Sequence, residues 1–224
     1  MIGLPVLLPR TGRPARGTRA LLFIAVAYHA TESIAGLGMA TRIEPAKEPF
    51  SEAVQGWLGR TMAPGRAPLL LFTTLARDER LFNKFFSGGL LDRGHLQLRQ
   101  RELVIDRTTA LNKCEYEWGV HIAFFGERVG LTSTQKQSLV AGSPQDECWS
   151  QDDRLLLRLC DELHNSATLS DELWAALRQR HSEEAMLELL MLAGFYRTVS
   201  YLCNAMRLPL ESDAARFPRP GRRM

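Results

Sequence analysis

Residues 112–121 read Asn-Lys-Cys-Glu-Tyr-Glu-Trp-Gly-Val-His and bring a thiol, carboxylates and an imidazole into one short stretch. On a helix, Cys114, Glu117 and His121 fall at i, i+3 and i+7, with Phe124 or Phe125 continuing the same face. A face turned to the core should be apolar, because burying such groups is costly unless they satisfy one another. Glu117 and His121 are four residues apart and can meet directly, and a carboxylate beside an imidazole raises its basicity. Upstream, Glu102 lies in Arg101-Glu102-Leu-Val-Ile, among apolar neighbours. If the helix carrying it packs antiparallel to the next, Glu102 comes within hydrogen-bond reach of His121. The chemistry such a group supports is general acid–base catalysis, with His121 moving a proton. Two plainer readings stand beside it. The Glu–His pair is also what a solvated helix face carries, with Trp118 and Phe124 as core. Alternatively Cys114, Glu117, His121 and Glu102 form a zinc set, although a Glu-x-x-x-His pair is a common spacing, and neither a metal nor another cofactor is expected.

The elements that must position these residues are helices. From about residue 50 the apolar positions repeat with helical spacing and no strand alternation is present. Ser51 caps a helix that the Pro64-Gly65 pair stops, and residues 67–76 and 78–87 give two more, ended by Gly88-Gly89. The runs 96–113 and 114–129 form the centre. Thr132-x-x-Gln135 is a capping box, and a polar loop at 142–151 leads to a helix over 152–165. Thr168 or Ser170 starts DELWAALRQR, and Ser182 starts the last and most apolar helix. A single helical domain over 42–211 is the simplest account, with residues 1–41 as an N-terminal extension and 212–224 as a basic Pro/Arg tail.

Charge sharpens these boundaries. The net charge is +3. Residues 1–38 hold Arg10, Arg13, Arg16 and Arg19 against Glu32, giving +3. Residues 212–224 hold Arg216, Arg219, Arg222 and Arg223 against Asp213, again +3, so the body between carries about −3. A nucleic-acid-binding domain would carry its positive charge on the body, so that partner is not expected. The apolar stretch 20–29 is too short to span a membrane. It resembles a short signal sequence, or else belongs to a dispensable extension ahead of Met39. The cytoplasm is the expected location. Cys114, Cys148, Cys160 and Cys203 contain no C-x-x-C pair and form no disulfide framework. Cys160 and Cys203, in apolar helical runs, read as small buried residues; Cys114, among polar and aromatic neighbours, does not.

Taken together, Arg101-Glu102-Leu-Val-Ile, Asn112-x-Cys114-x-Tyr116-Glu117-Trp118-x-x-His121 and Gly130-Leu131-Thr132 resemble the signature of the carboxymuconolactone decarboxylase family, which includes the alkyl hydroperoxidase AhpD. The likeness extends over most of 42–208, including Leu75-Ala76-Arg77 and the Tyr196-Arg-Thr-Val region. It implies an all-α, AhpD-like fold working as a homo-oligomer, with a site between helices near a subunit contact. In the hydroperoxidase branch an acid precedes a C-x-x-C pair and a His. Glu102 matches the acid, Cys114 the first Cys and His121 the His, while Glu117 stands where the second Cys belongs. The disulfide cycle of that helix is therefore unavailable. The decarboxylase branch lacks the cysteine pair and relies on acid and base groups.

The expected function is a carboxymuconolactone decarboxylase-like enzyme, a lyase acting by acid–base catalysis on a small carboxylate or lactone. His121 moves the proton, oriented by Glu102 or Glu117, with the other carboxylate as acid or substrate anchor. Tyr116 and Trp118 shape the pocket, and Arg101 and Arg107 are the nearest cations for a developing negative charge. One alternative is a single-cysteine, AhpD-like hydroperoxidase with peroxiredoxin-type activity at Cys114, reset by an external thiol. A non-catalytic oligomeric family member is another.

Overall fold

A computed structural model describes residues 40–62 and 65–218. The extension and signal readings for residues 1–39, and the last residues of the tail, lie outside the described residues. Among these, all regular structure is helical. Hydroxyl or carboxylate caps set most of the starts, each accepting a backbone N–H that the first turn leaves without a partner. Ser51 opens α1 (Glu52–Thr61) and Asp78 opens α3 (Glu79–Ser87). Thr132, Ser150, Ser170 and Ser182 do the same for α6 (Ser133–Ala141), α7 (Gln151–Ser166), α8 (Asp171–Arg178) and α9 (Glu183–Met206). Between α1 and α3 lies α2 (Leu70–Leu75), shorter than the expected 67–76 because Leu69 is extended at ψ 145° directly after Pro68.

The central run divides into α4 (Leu98–Leu111) and α5 (Glu115–Phe125). Lys113 adopts φ 54° between them, a left-handed conformation that ends one helix and lets the chain reverse. Cys114 is therefore the residue that precedes α5, with its carbonyl accepting from Trp118 at 3.2 Å, rather than a position inside a helix. The second run stops at Phe125, short of the expected 129.

Helix α4 is the axis of the domain, packed on α5, α6, α7 and α9. Leu103, Val104 and Ile105 on α4 are fully buried, as are Leu189 and Leu192 on α9. Helix α9 is long and apolar enough to cross a membrane, but much of it is core here. A small second cluster of Val54, Leu58 and Phe82 joins α1 to α3. The loop before α4 is pinned twice. The Arg101 guanidinium donates to the Leu91 carbonyl at 2.9 Å, and the His95 N–H donates to Glu188 on α9 at 2.6 Å.

The segment after α9 departs from the tail expected over 212–224. As far as Phe217 it returns across the molecule and lies on α5. The Ala215 N–H donates to the Gly119 carbonyl at 3.0 Å, and the Phe217 N–H donates to Glu115 at 3.0 Å. The Phe217 ring meets Trp118 edge-on at 5.1 Å. Gly119 permits this approach, since a Cβ there would sit 2.3 Å from the Ala215 carbonyl oxygen.

Candidate functional site

Glu102 on α4 and His121 on α5 meet where the two helices pack. His121 Nδ1 lies 2.7 Å from Glu102 Oε2, and His121 Nε2 lies 3.4 Å from Glu117 Oε1. The imidazole is thus held at both nitrogens by carboxylates contributed from two helices. All three side chains are buried. The second oxygen of Glu102 accepts from Arg101 Nε at 3.1 Å. Glu117 Oε2, by contrast, is buried and has no partner. The chain of contacts therefore runs from Arg101 through Glu102 and His121 and ends at one free carboxyl oxygen.

Electrostatics follow from this geometry. Burial alone would lower the His121 pKa. The Glu102 carboxylate, by charge and hydrogen bond, and Glu117 after it, outweigh that and raise it to about 10. At neutral pH the ring is an imidazolium with an N–H toward each carboxylate. Asp106, one turn beyond Glu102 on α4, is buried with Oδ1 unpartnered. Burial and then the charge of Glu102 push its pKa well above the ordinary carboxyl range. Tyr196 on α9 meets the His121 ring edge-on at 5.1 Å. Its phenol is held neutral first by burial, then by the charges of Glu117 and Glu102.

Cys114 is fully buried at the start of α5, and the Cys203 thiol on α9 draws its pKa below the ordinary thiol value. The expectation that Cys203 is only a small core residue thus misses its neighbour. Ser200, fully buried one turn earlier, faces Cys114 as well. Tyr196, Ser200 and Cys203 lie at i, i+4 and i+7 of α9, and this polar line in an apolar helix is the sequence signal that would have found them.

The other expected residues have different duties. Tyr116 does not line a pocket with His121. Its hydroxyl accepts from the Leu71 N–H at 3.1 Å and donates to Glu211, tying α2 and the C-terminal segment to α5. Trp118 is buried under Phe217, with Nε1 unpartnered. Arg101 holds Glu102 rather than a free anion site. Arg107 is consumed by Asp161, at 2.7 and 2.9 Å, and by carbonyls of the α6 end, including Leu139 at 2.9 Å. Among the described residues no cluster of three or more His, Cys, Asp or Glu is arranged to hold a metal ion. A cavity of about 900 Å³ lined by Glu48, Phe50, Leu58 and Arg66 lies beside α1 and shares no residue with the carboxylate–imidazole chain.

The fold and site together define an all-helical protein with a buried carboxylate–imidazole–carboxylate relay between two adjacent helices. Residues 79–142, which span α3 to the end of α6 and include the relay, match the Carboxymuconolactone decarboxylase family. Over that stretch the chain resembles the family, and its fold is AhpD-like. It is similar to an uncharacterized peroxidase-related protein from Silicibacter sp. TM1040 at 16% identity, covering 82% of this chain and 100% of that one, with a TM-score of 0.67. A peroxidase-related protein with an alkylhydroperoxidase AhpD core from Ralstonia eutropha JMP134 is 16% identical over 78% of this chain and 95% of that one, with a TM-score of 0.62. The debrominase Bmp8 is 17% identical over 79% of this chain and 95% of its own, also with a TM-score of 0.62. At these identities the likeness is one of fold. No curated protein matches the chain.

Proposed function

We propose that the chain is an acid–base enzyme acting on a small carboxylate or lactone, in the manner of a decarboxylating lyase. The observation that carries this reading is the free, buried Oε2 of Glu117 at the end of the relay. A buried carboxyl oxygen without a partner is costly, and a substrate proton in that position would satisfy it. His121 cannot face a substrate itself, because both its nitrogens are taken. The roles therefore divide differently from those expected. Glu102, fixed by Arg101, orients the ring, His121 stores the proton, and Glu117 exchanges it with substrate.

Loss of CO2 breaks a carbon–carbon bond and leaves the electron pair on carbon as an enolate. The relay then supplies a proton to that carbon through Glu117, and the imidazolium recovers its proton from solvent. The neutral Tyr196 phenol and the charged His121 ring offer the positive edge and charge that oppose the growing negative charge.

The test is turnover of a panel of γ- and δ-lactone acids by the full-length protein, followed as CO2 release with the reaction run in D2O. The expected result is one deuterium at the carbon that loses CO2. Glu117→Gln, which keeps size but cannot carry the proton, should reduce the rate by about 10²-fold or more. Full turnover by Glu117→Gln would remove Glu117 from the role.

A further inference from the structure

Where α4, α7 and the middle of α9 meet, the fold leaves a cavity of about 220 Å³ that shares no residue with the carboxylate–imidazole chain. Thr108 of α4, His164 of α7 and Arg197 of α9 supply its polar wall, and Leu163, Leu190 and Ala193 its apolar one. Ala167 and Gly194, which also line it, are exposed, so the cavity opens to solvent.

The polar groups of this cavity are incompletely used. Thr108 is buried, at 6% exposure, and its Oγ1 has no hydrogen-bond partner. The Cys160 thiol, on the same wall, donates instead to the Val104 carbonyl at 3.7 Å. His164 Nδ1 is buried and equally without a partner. Two such atoms in one small cavity are unfavourable unless a hydrogen-bonding occupant fills it. Arg197 adds a charge. Its Nε donates to the Tyr201 hydroxyl at 2.6 Å, and its Nη1 to the Leu163 and His164 carbonyls, each at 3.4 Å. These acceptors are neutral, and among the described residues no carboxylate pairs with Arg197. Asp161, on α7 before His164, is committed to Arg107 at 2.7 and 2.9 Å.

Gly194 points the same way on separate grounds. A glycine inside a helix is less favourable than an alanine, and a Cβ at this position would meet no heavy atom within 4 Å. Packing among the described residues therefore does not call for glycine here. What the missing side chain keeps open is the mouth of the cavity.

We propose that this cavity is a binding site for a small monocarboxylate with a short apolar chain. The carboxylate lies against the Arg197 guanidinium and accepts from the Thr108 hydroxyl and the Nδ1–H of a neutral His164, while the chain rests on Leu163, Leu190 and Ala193. One unpaired cation beside two neutral donors suits a single negative charge better than a phosphate dianion. The apolar wall favours a hydrocarbon body over a polar one. The site goes beyond the acid–base reading, since none of its residues belongs to the relay.

Protonation of His164 reports on occupancy. Burial, and after it the Arg197 charge, holds its pKa below the ordinary imidazole value, with Asp161 on the same helix opposing this and Arg107 of α4 adding to it. A bound carboxylate offsets the Arg197 charge, so the His164 midpoint should rise on binding. By linkage, affinity should then strengthen as pH falls through that midpoint.

The experiment titrates the full-length protein with sodium butyrate and follows the His164 ring resonances by NMR, assigned through their loss in His164→Asn. The expected result is a saturable shift of those resonances and a higher His164 midpoint at saturation. Butyramide, which lacks the charge, and inorganic phosphate should each bind at least about tenfold more weakly than butyrate. Arg197→Gln should weaken butyrate by at least about tenfold, and Thr108→Val, which keeps the shape but loses the hydroxyl, by about two- to tenfold. Arg197 also holds carbonyls at the end of α7, so Gly194→Leu provides a variant that leaves those bonds alone. It should fold with an undiminished melting temperature and abolish the butyrate shift at His164. Heat of binding with the His164 resonances unmoved would overturn the proposal, as would phosphate binding as tightly as butyrate. Full butyrate affinity in Gly194→Leu would overturn it too, and a changed oligomeric mass in that variant would then assign the glycine to a contact between copies. Binding is read at His164 without turnover, and Glu117→Gln should leave it unchanged. Failure here therefore leaves the acid–base reading standing, and the reverse also holds.

Discussion

At the scale of single residues, the site is decided by which oxygen lacks a partner. Glu102 spends one oxygen on Arg101 and the other on His121, whereas Glu117 keeps one unspent. Removal of His121 should therefore cost about 10²–10⁴-fold in turnover, the usual worth of a positioned proton-transfer group. Glu102→Gln should lower the rate by a different route. It keeps the hydrogen bond to the ring but removes the charge that holds the proton on His121, so its pH–rate profile should shift to lower pH. An unchanged profile in Glu102→Gln would mean that the carboxylate only fills space. Much of this was legible in the sequence. The spacing of Glu117 and His121 and the isolated acid in Arg101-Glu102-Leu-Val-Ile point to one another, and the geometry joins them. Asp106 was not legible, because a single Asp four residues after Glu102 is also what an exposed helix face carries. The fate of Tyr116 was hidden too, since its partner Glu211 lies in a stretch with no periodicity to read.

At the scale of elements, caps gave the starts of α1, α6, α8 and α9, since Ser and Thr before an apolar repeat act locally. The break at Lys113 was harder to see. A left-handed residue that is neither Gly nor Asn leaves no mark in the sequence, and it moved Cys114 from a helix face to the head of α5. The line Tyr196, Ser200 and Cys203 on α9 was readable in principle, but an apolar helix invites the reading that its cysteines are core. The return of residues 211–217 depends on a close approach at Gly119, which composition does not announce. That approach gives a direct prediction. In a helix interior Gly119→Ala would ordinarily stabilise by about 1 kcal/mol. Here the added Cβ meets the Ala215 carbonyl oxygen at 2.3 Å, so the substitution should destabilise by about 1–3 kcal/mol, as overpacking does. The midpoint of urea unfolding measures the sign, and a gain in stability would show that the C-terminal segment does not hold this position.

At the scale of the whole molecule, the relay ties folding to pH. His121 has a folded pKa of about 10, above its ordinary value of 6.5. A raised pKa means that the folded state binds the proton more tightly than the unfolded chain does. Its contribution to stability is full below about pH 6.5 and declines as pH rises, vanishing above about 10. The difference in melting temperature between the native chain and His121→Gln should accordingly narrow steadily between pH 6.5 and 10. A difference that stays constant over that range would show that no charged ring is being stabilised. The most direct measurement of the central claim is an NMR titration of the His121 ring nitrogens in the full-length protein from pH 5 to 11. A charged ring held between two carboxylates predicts that Nδ1 and Nε2 both stay protonated through neutral pH, with a midpoint near 10. A midpoint near 6.5 would contradict it, because Glu102 and Glu117 would then not be gripping the proton that the proposed chemistry moves.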